Sequence, residues 1–115
     1  MVSYQWGIFW ANLDPSQGSE QAGLRPVLVI SDEEINQILP IVTVVALTSL
    51  KEDRRIYPTE VLLQTYETGL TKKSIVMGHQ IRAISKKRFT GKCGSIESDE
   101  KQEEIREVIR TYLDL

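Results

Sequence analysis

IVTVVALTS, residues 41–49, is a β-branched run with almost no polar alternation. A strand with one wet face alternates apolar and polar residues, so a run without alternation reads as a strand covered on both faces. Such a strand belongs at the centre of a sheet, with the other elements arranged around it. Upstream, Pro40 closes DEEINQI (32–38), which is long enough for one or two helical turns. Before it lies RPVLVIS (25–31), a strand whose Pro26 is tolerated only at the start. The polar stretch 16–24 holds Gly18 and Gly23 and reads as a long loop, preceded by GIFWANL (7–13), a first strand that stops at the Asp14-Pro15 turn signal.

Downstream, LKEDRRIYP (50–58) reads as an exposed charged excursion and TEVLLQ (59–64) as a strand. TYETGLTKK (65–73) is a glycine-containing connection, and SIVMGHQIRAI (74–84) is one long strand or two short ones broken near Gly78. SKKRF (85–89) suits a short helical turn and TGKCGSI (90–96) a brief strand. The clear helix is SDEKQEEIREVIRTYLDL (98–115), where Ile105, Val108, Ile109 and Tyr112 form one apolar stripe. Ser98 or Asp99 supplies the N-cap, and acidic residues follow at the positive end of the helix dipole. Six or seven short strands with one terminal helix predict a mainly β fold, a small, strongly curved antiparallel sheet or partial barrel.

The 115 residues and 41% hydrophobic content suit one domain with one core, spanning 1–115. Cys93 is the only cysteine, which fits a reducing cytoplasm and excludes an internal disulfide. No stretch approaches the ~20 apolar residues of a membrane span, and the opening MVSYQWGIFW lacks the pattern of a leader. The net charge of −2 argues against a general nucleic-acid binder, but its distribution is uneven. Lys51, Arg54, Arg55, Lys72, Lys73, Arg82, Lys86, Lys87, Arg88 and Lys92 fall in the middle, while ESDEKQEE (97–104) is acidic. If that acidic stretch lies on the far side of the fold, the middle presents a positive face.

Metal catalysis has little to stand on, with His79 the only histidine and Cys93 the only cysteine, and no P-loop or nucleophile elbow is present. What remains is a set of polar residues at strand ends: Arg25 before one strand, Thr48 and Ser49 ending another, and Gln80 and Arg82 alternating on a third. Guanidinium forks and hydroxyls suit phosphate oxygens, although each group could equally satisfy local backbone.

LDPSQGSEQAGLRPVLVIS (13–31) resembles the opening motif of the MazF/PemK family of toxin endoribonucleases. The resemblance continues through TVVALTS (43–49) and HQIRAISKKRF (79–89) and covers nearly the whole chain. It implies a small SH3-like barrel with added helices, working as a cytoplasmic homodimer, and a sequence-selective ribonuclease that cuts single-stranded mRNA without metal or other cofactor until a cognate antitoxin neutralises it. The family's proposed catalytic arginine and threonine carry over onto Arg25 and Thr48, with Glu20 and Ser49 as supporting candidates. Gln21, Gln80, Arg82, Lys51 and Lys86 are the implied RNA contacts. Trp6 and Gly7 depart from the family's usual glycine and acidic opening, and His79 is an unexpected neighbour for Gln80. Trp6, Phe9 and Trp10 are candidates to stack bases or to serve as core or dimer contacts.

With the 2′-hydroxyl of RNA as attacking group, the protein needs only to align it and to neutralise charge in the transition state. Arg25 suits that charge, but its permanent protonation makes it a poor general base. Glu20 is a conceivable base or a holder of Arg25. A gyrase-binding toxin of the CcdB type and a catalytically silent RNA-binding module are the competing expectations on the same scaffold.

Overall fold

The computed structural model describes residues 2–14, 17, 18, 20 and 23–115. Six strands, β1 (Gly7–Asn12), β2 (Leu24–Val29), β3 (Ile41–Ser49), β4 (Glu60–Leu63), β5 (Ser74–Ser85) and β6 (Phe89–Ser95), form one antiparallel sheet in the order β4-β5-β3-β2-β1-β6. Three helices, α1 (Glu33–Ile38), α2 (Thr65–Thr68) and α3 (Asp99–Leu113), and one 3-10 turn (Lys86–Arg88) complete it.

β3 lies inside the sheet between β2 and β5, and Val42 and Val44 to Leu47 are all buried, as a run without alternation requires. Its two faces enter two cores. Ile8, Leu28, Val45 and Leu47 join Ile105 of α3 in one, whereas Phe9, Val27, Val29, Val42 and Val44 form the other with Ala11, Leu13 and Ile84. Alternate residues of each strand thus separate a face covered by α3 from an opposite face. The acidic start of α3 lies with the first face, so the sheet separates it from the second.

The sheet is not closed: β4 and β6 remain its edges. α2 covers part of the gap, where sequence patterning gave only a connection. Four residues are too few to show periodicity, and the helix is held instead by reciprocal capping between Gln64 and Glu67 and ends at Gly69, at φ 82°. It packs tightly on β6: a Cβ on Gly94 would stand 2.4 Å from the Thr68 carbonyl oxygen.

The break expected near Gly78 is a bulge within one strand. Val45 pairs with Ile81 but Ala46 pairs with Met77, leaving Gly78, His79 and Gln80 as extra residues on β5. The Gly78 N–H donates to the Thr59 carbonyl at 2.9 Å, and a Cβ there would lie 2.7 Å from that oxygen. The bulge is therefore tied to the residue preceding β4.

Candidate active site

β2 and β3 pair from Val29↔Val44 to Val27↔Ala46. Arg25 lies two residues before Val27 and Thr48 two after Ala46, each just past the last pair joining β2 to β3. Both share the face of Val27, Val44 and Ala46, turned away from α3. Pairing of Arg25 with Ala11 of β1 fixes its backbone, and pairing of Thr48 with Ile75 of β5 fixes that of the threonine. Arg25 is exposed and Thr48 half-buried, so neither side chain is lost to the core.

Next to this pair on the same face is a cleft of about 140 Å³. Val27, Val44, Ala46, Leu13 and Ile81 supply its apolar lining, and Glu20, His79, Gln80 and Arg82 its polar groups. In a regular strand His79 and Gln80 would point to opposite faces; the bulge lets both reach one cleft. Thr59 Oγ1 lies 2.9 Å from His79 Nδ1, and the His79 ring meets Tyr112 edge-on at 6.3 Å, which fixes the imidazole at the rim. Glu20 accepts the Gln17 N–H at 2.6 Å and returns its own N–H to the Gln17 carbonyl at 3.1 Å.

The loop carrying Glu20 has a well-bonded neck. The Leu13 N–H donates to the Gly23 carbonyl at 2.9 Å, and Asp14 Oδ1 accepts the Gly23 N–H at 2.9 Å. Arg82 Nη1 lies 3.5 Å from the Leu13 carbonyl, at the long limit of a hydrogen bond.

Other sequence candidates lie elsewhere. Ser49, one residue past Thr48, lines a separate cleft with Trp10, Pro26, Leu70, Thr71, Lys72 and Ser74 on the other face. Lys51 is exposed beyond β3, and Lys86 places its Nζ 4.9 Å from the centre of the Tyr4 ring. Gln21 lies outside the described residues. Of the aromatic candidates, Phe9 is in the core, stacked on Phe89 at 4.6 Å. Trp6 packs against the α3-side core beneath the Arg106 guanidinium, at 5.0 Å, and only Trp10 is largely exposed.

The positive middle of the chain is partly neutralised within the fold. Arg54 forms an ion pair with Glu60 at 2.7 Å, and the Glu60 side chain is fully buried. Burial alone would raise the Glu60 pKa; the Arg54 hydrogen bonds, the Tyr57 N–H and the Arg54 charge outweigh it and hold the carboxyl below its ordinary value. The charged excursion after Thr48 is thereby anchored instead of wholly solvated.

Residues 4–113 match the model of a family described as PemK-like, MazF-like toxin of type II toxin-antitoxin system. The chain belongs to this family. A PemK/MazF relative, Endoribonuclease EndoA of Bacillus subtilis (strain 168), is 33% identical over 115 residues, covering all of this chain and 97% of that protein. The crystal structure of MazF from Deinococcus radiodurans superposes with a TM-score of 0.82 at 23% identity, over 100% of this chain and 99% of that one. A mycobacterial endoribonuclease in complex with its cognate antitoxin gives 0.79 at 22% identity, over 99% and 97% of the two chains. The PemK/MazF fold of this chain thus carries Arg25, Thr48, Glu20, Gln80 and Arg82 on or beside one cleft. Sequence reasoning did not assign the apolar lining, because Leu13, Val27 and Ala46 look like ordinary core. It likewise gave no role to Arg88, one of several basic residues in a row.

Proposed function

We propose that this PemK/MazF toxin is a metal-independent, sequence-selective endoribonuclease that cleaves single-stranded RNA by attack of a 2′-hydroxyl on the adjacent phosphate. The observation that carries this reading is the placement of Arg25 and Thr48 on one face, two residues beyond the Val27–Ala46 pair, beside a cleft with polar walls. The EndoA relationship over the full length supports the same activity.

In this reaction the 2′-oxygen forms a bond to phosphorus as the bond to the 5′-oxygen breaks. The 2′-proton passes to a base, and the 5′-oxygen leaves taking a proton from solvent water, giving a 2′,3′-cyclic phosphate and a 5′-hydroxyl. Arg25 balances charge building on the phosphorane oxygens, and Thr48 donates to one of them. Glu20, the carboxylate among the described cleft residues, serves as the base or as the holder of Arg25. Gln80, Arg82 and Gln21 contact base edges or phosphates of the bound strand, and Lys51 and Lys86 add long-range attraction. No step requires a metal ion.

The toxin works as a cytoplasmic homodimer, and its cognate antitoxin lays an acidic segment over the cleft and excludes RNA. No helix among the described residues is long and apolar enough to cross a membrane. Incubating purified protein with a long single-stranded RNA and analysing fragment ends tests the activity. Fragments with cyclic phosphate and 5′-hydroxyl ends are expected; intact RNA, or 5′-phosphate ends, would overturn it.

A further inference from the structure

We propose that Arg88 is a positioning residue that latches the neck of the active-site loop and so sets how well the cleft binds RNA; the second half of this inference rests on the nuclease reading above. Arg88 ends the 3-10 turn after β5, far along the chain from the loop. Its Nη1 donates to the Asn12 carbonyl at 3.0 Å and to the Asp14 carbonyl at 2.6 Å. Both oxygens belong to the neck, where Asp14 and Leu13 bond Gly23, two residues before Arg25.

The turn beneath Arg88 is firmly seated. Ser85 Oγ accepts the Lys87 N–H at 3.2 Å, the Lys86 N–H donates to the Pro40 carbonyl at 3.1 Å, and Phe89 stacks on Phe9 in the core. A cation on such a base, bonded to two neutral carbonyls, holds the neck by charge-assisted hydrogen bonds. The two ends of the latch meet different parts of the site. Leu13, between the two bonded carbonyls, lines the cleft together with Glu20, whereas Gly23 leads into β2 and Arg25. Arg25 is also held by its ladder pairing with Ala11, so losing the latch frees the cleft wall more than it displaces the arginine.

The test combines amide exchange with steady-state kinetics on wild type, Arg88→Ala, Arg88→Lys and the exposed neighbour Lys87→Ala. In Arg88→Ala the Leu13 and Gly23 amides should exchange at least tenfold faster, with no change in the core amides of β3. The KM for single-stranded RNA should rise about tenfold with kcat within threefold of wild type. Lysine, a single point donor, should fall between, and Lys87→Ala should match wild type. Unchanged exchange at Leu13 and Gly23 would overturn the latch. Faster exchange with unchanged KM would overturn its role in RNA binding. Wild-type protein that leaves RNA intact would overturn the nuclease reading and with it the RNA half of this inference, while the exchange comparison still decides the latch.

Discussion

Arg25 and Thr48 share one face of the sheet, each two residues beyond Val27–Ala46, the last pair joining β2 to β3. Backbone pairing to outer neighbours, Ala11 for one and Ile75 for the other, holds them there. Chemistry and stability are therefore separable at these positions. Arg25→Ala and Thr48→Ala should each lower kcat on the order of a hundredfold or more while the melting temperature stays within a few degrees of wild type. Parallel kinetics and thermal melts check this, and equal loss of stability and activity would contradict it.

In the proposed reaction the substrate supplies the nucleophile. An RNA carrying one 2′-deoxy sugar on the 5′ side of the cut should remain intact while still competing for binding. Cleavage of that substrate would contradict the proposed chemistry.

The bulge brings His79 beside Gln80 on the wall of the cleft, within reach of a base of the bound strand in the proposed reaction. His79→Ala should alter the distribution of cut sites in a mixed RNA pool, with total cleavage reduced less than by Arg25→Ala. Mapping fragment 5′ ends checks this, and an unchanged site distribution would count against a role for the imidazole.

Arg54 and Glu60 tie the connection after β3 to the edge strand. The folded pKa of Glu60 lies below the ordinary 4.5, so its ionised form favours folding above that value. That contribution fades as pH falls from about 4.5 through the lower folded value. Urea midpoints of wild type and Glu60→Gln, measured from pH 7 to pH 3, should converge in that window. Glu60→Ala should cost roughly 3 kcal/mol at neutral pH, the low end for a broken buried pair because Arg54 is 24% exposed. A constant wild-type-to-glutamine difference down to pH 3 would contradict the linkage.

Ile105 anchors α3 to the face opposite the cleft and is fully buried. Ile105→Ala should destabilise the fold by about 2–5 kcal/mol, yet leave kcat near wild type at temperatures where the variant stays folded.

Much of this architecture was legible in residue order. β3 is a β-branched run without polar alternation and occupies the covered interior position such a run demands, and the stripe of Ile105, Val108 and Ile109 marks the buried side of α3. The small SH3-like barrel implied by family resemblance is a six-stranded antiparallel sheet that stays unclosed between its edge strands β4 and β6, and no local pattern records whether such edges meet. The site was partly legible. Arg25 and Thr48 stand at strand ends where polar groups are conspicuous. The cleft between them and Gln80 depends on a bulge, and a lone Gly78 signals only that one is allowed. Glu60 looks like a solvated strand start, and its burial follows from Arg54, six residues away across an irregular connection. The latch by Arg88 joins segments more than seventy residues apart and leaves no periodic trace.

The most direct measurement is cleavage of a defined single-stranded RNA by purified wild type and Arg25→Ala, each in excess EDTA, with the fragment ends identified. Undiminished wild-type cleavage giving 2′,3′-cyclic phosphate and 5′-hydroxyl ends, with activity collapsing in Arg25→Ala, is the predicted result. Cleavage that stops in EDTA, or that survives loss of the arginine, would contradict the account.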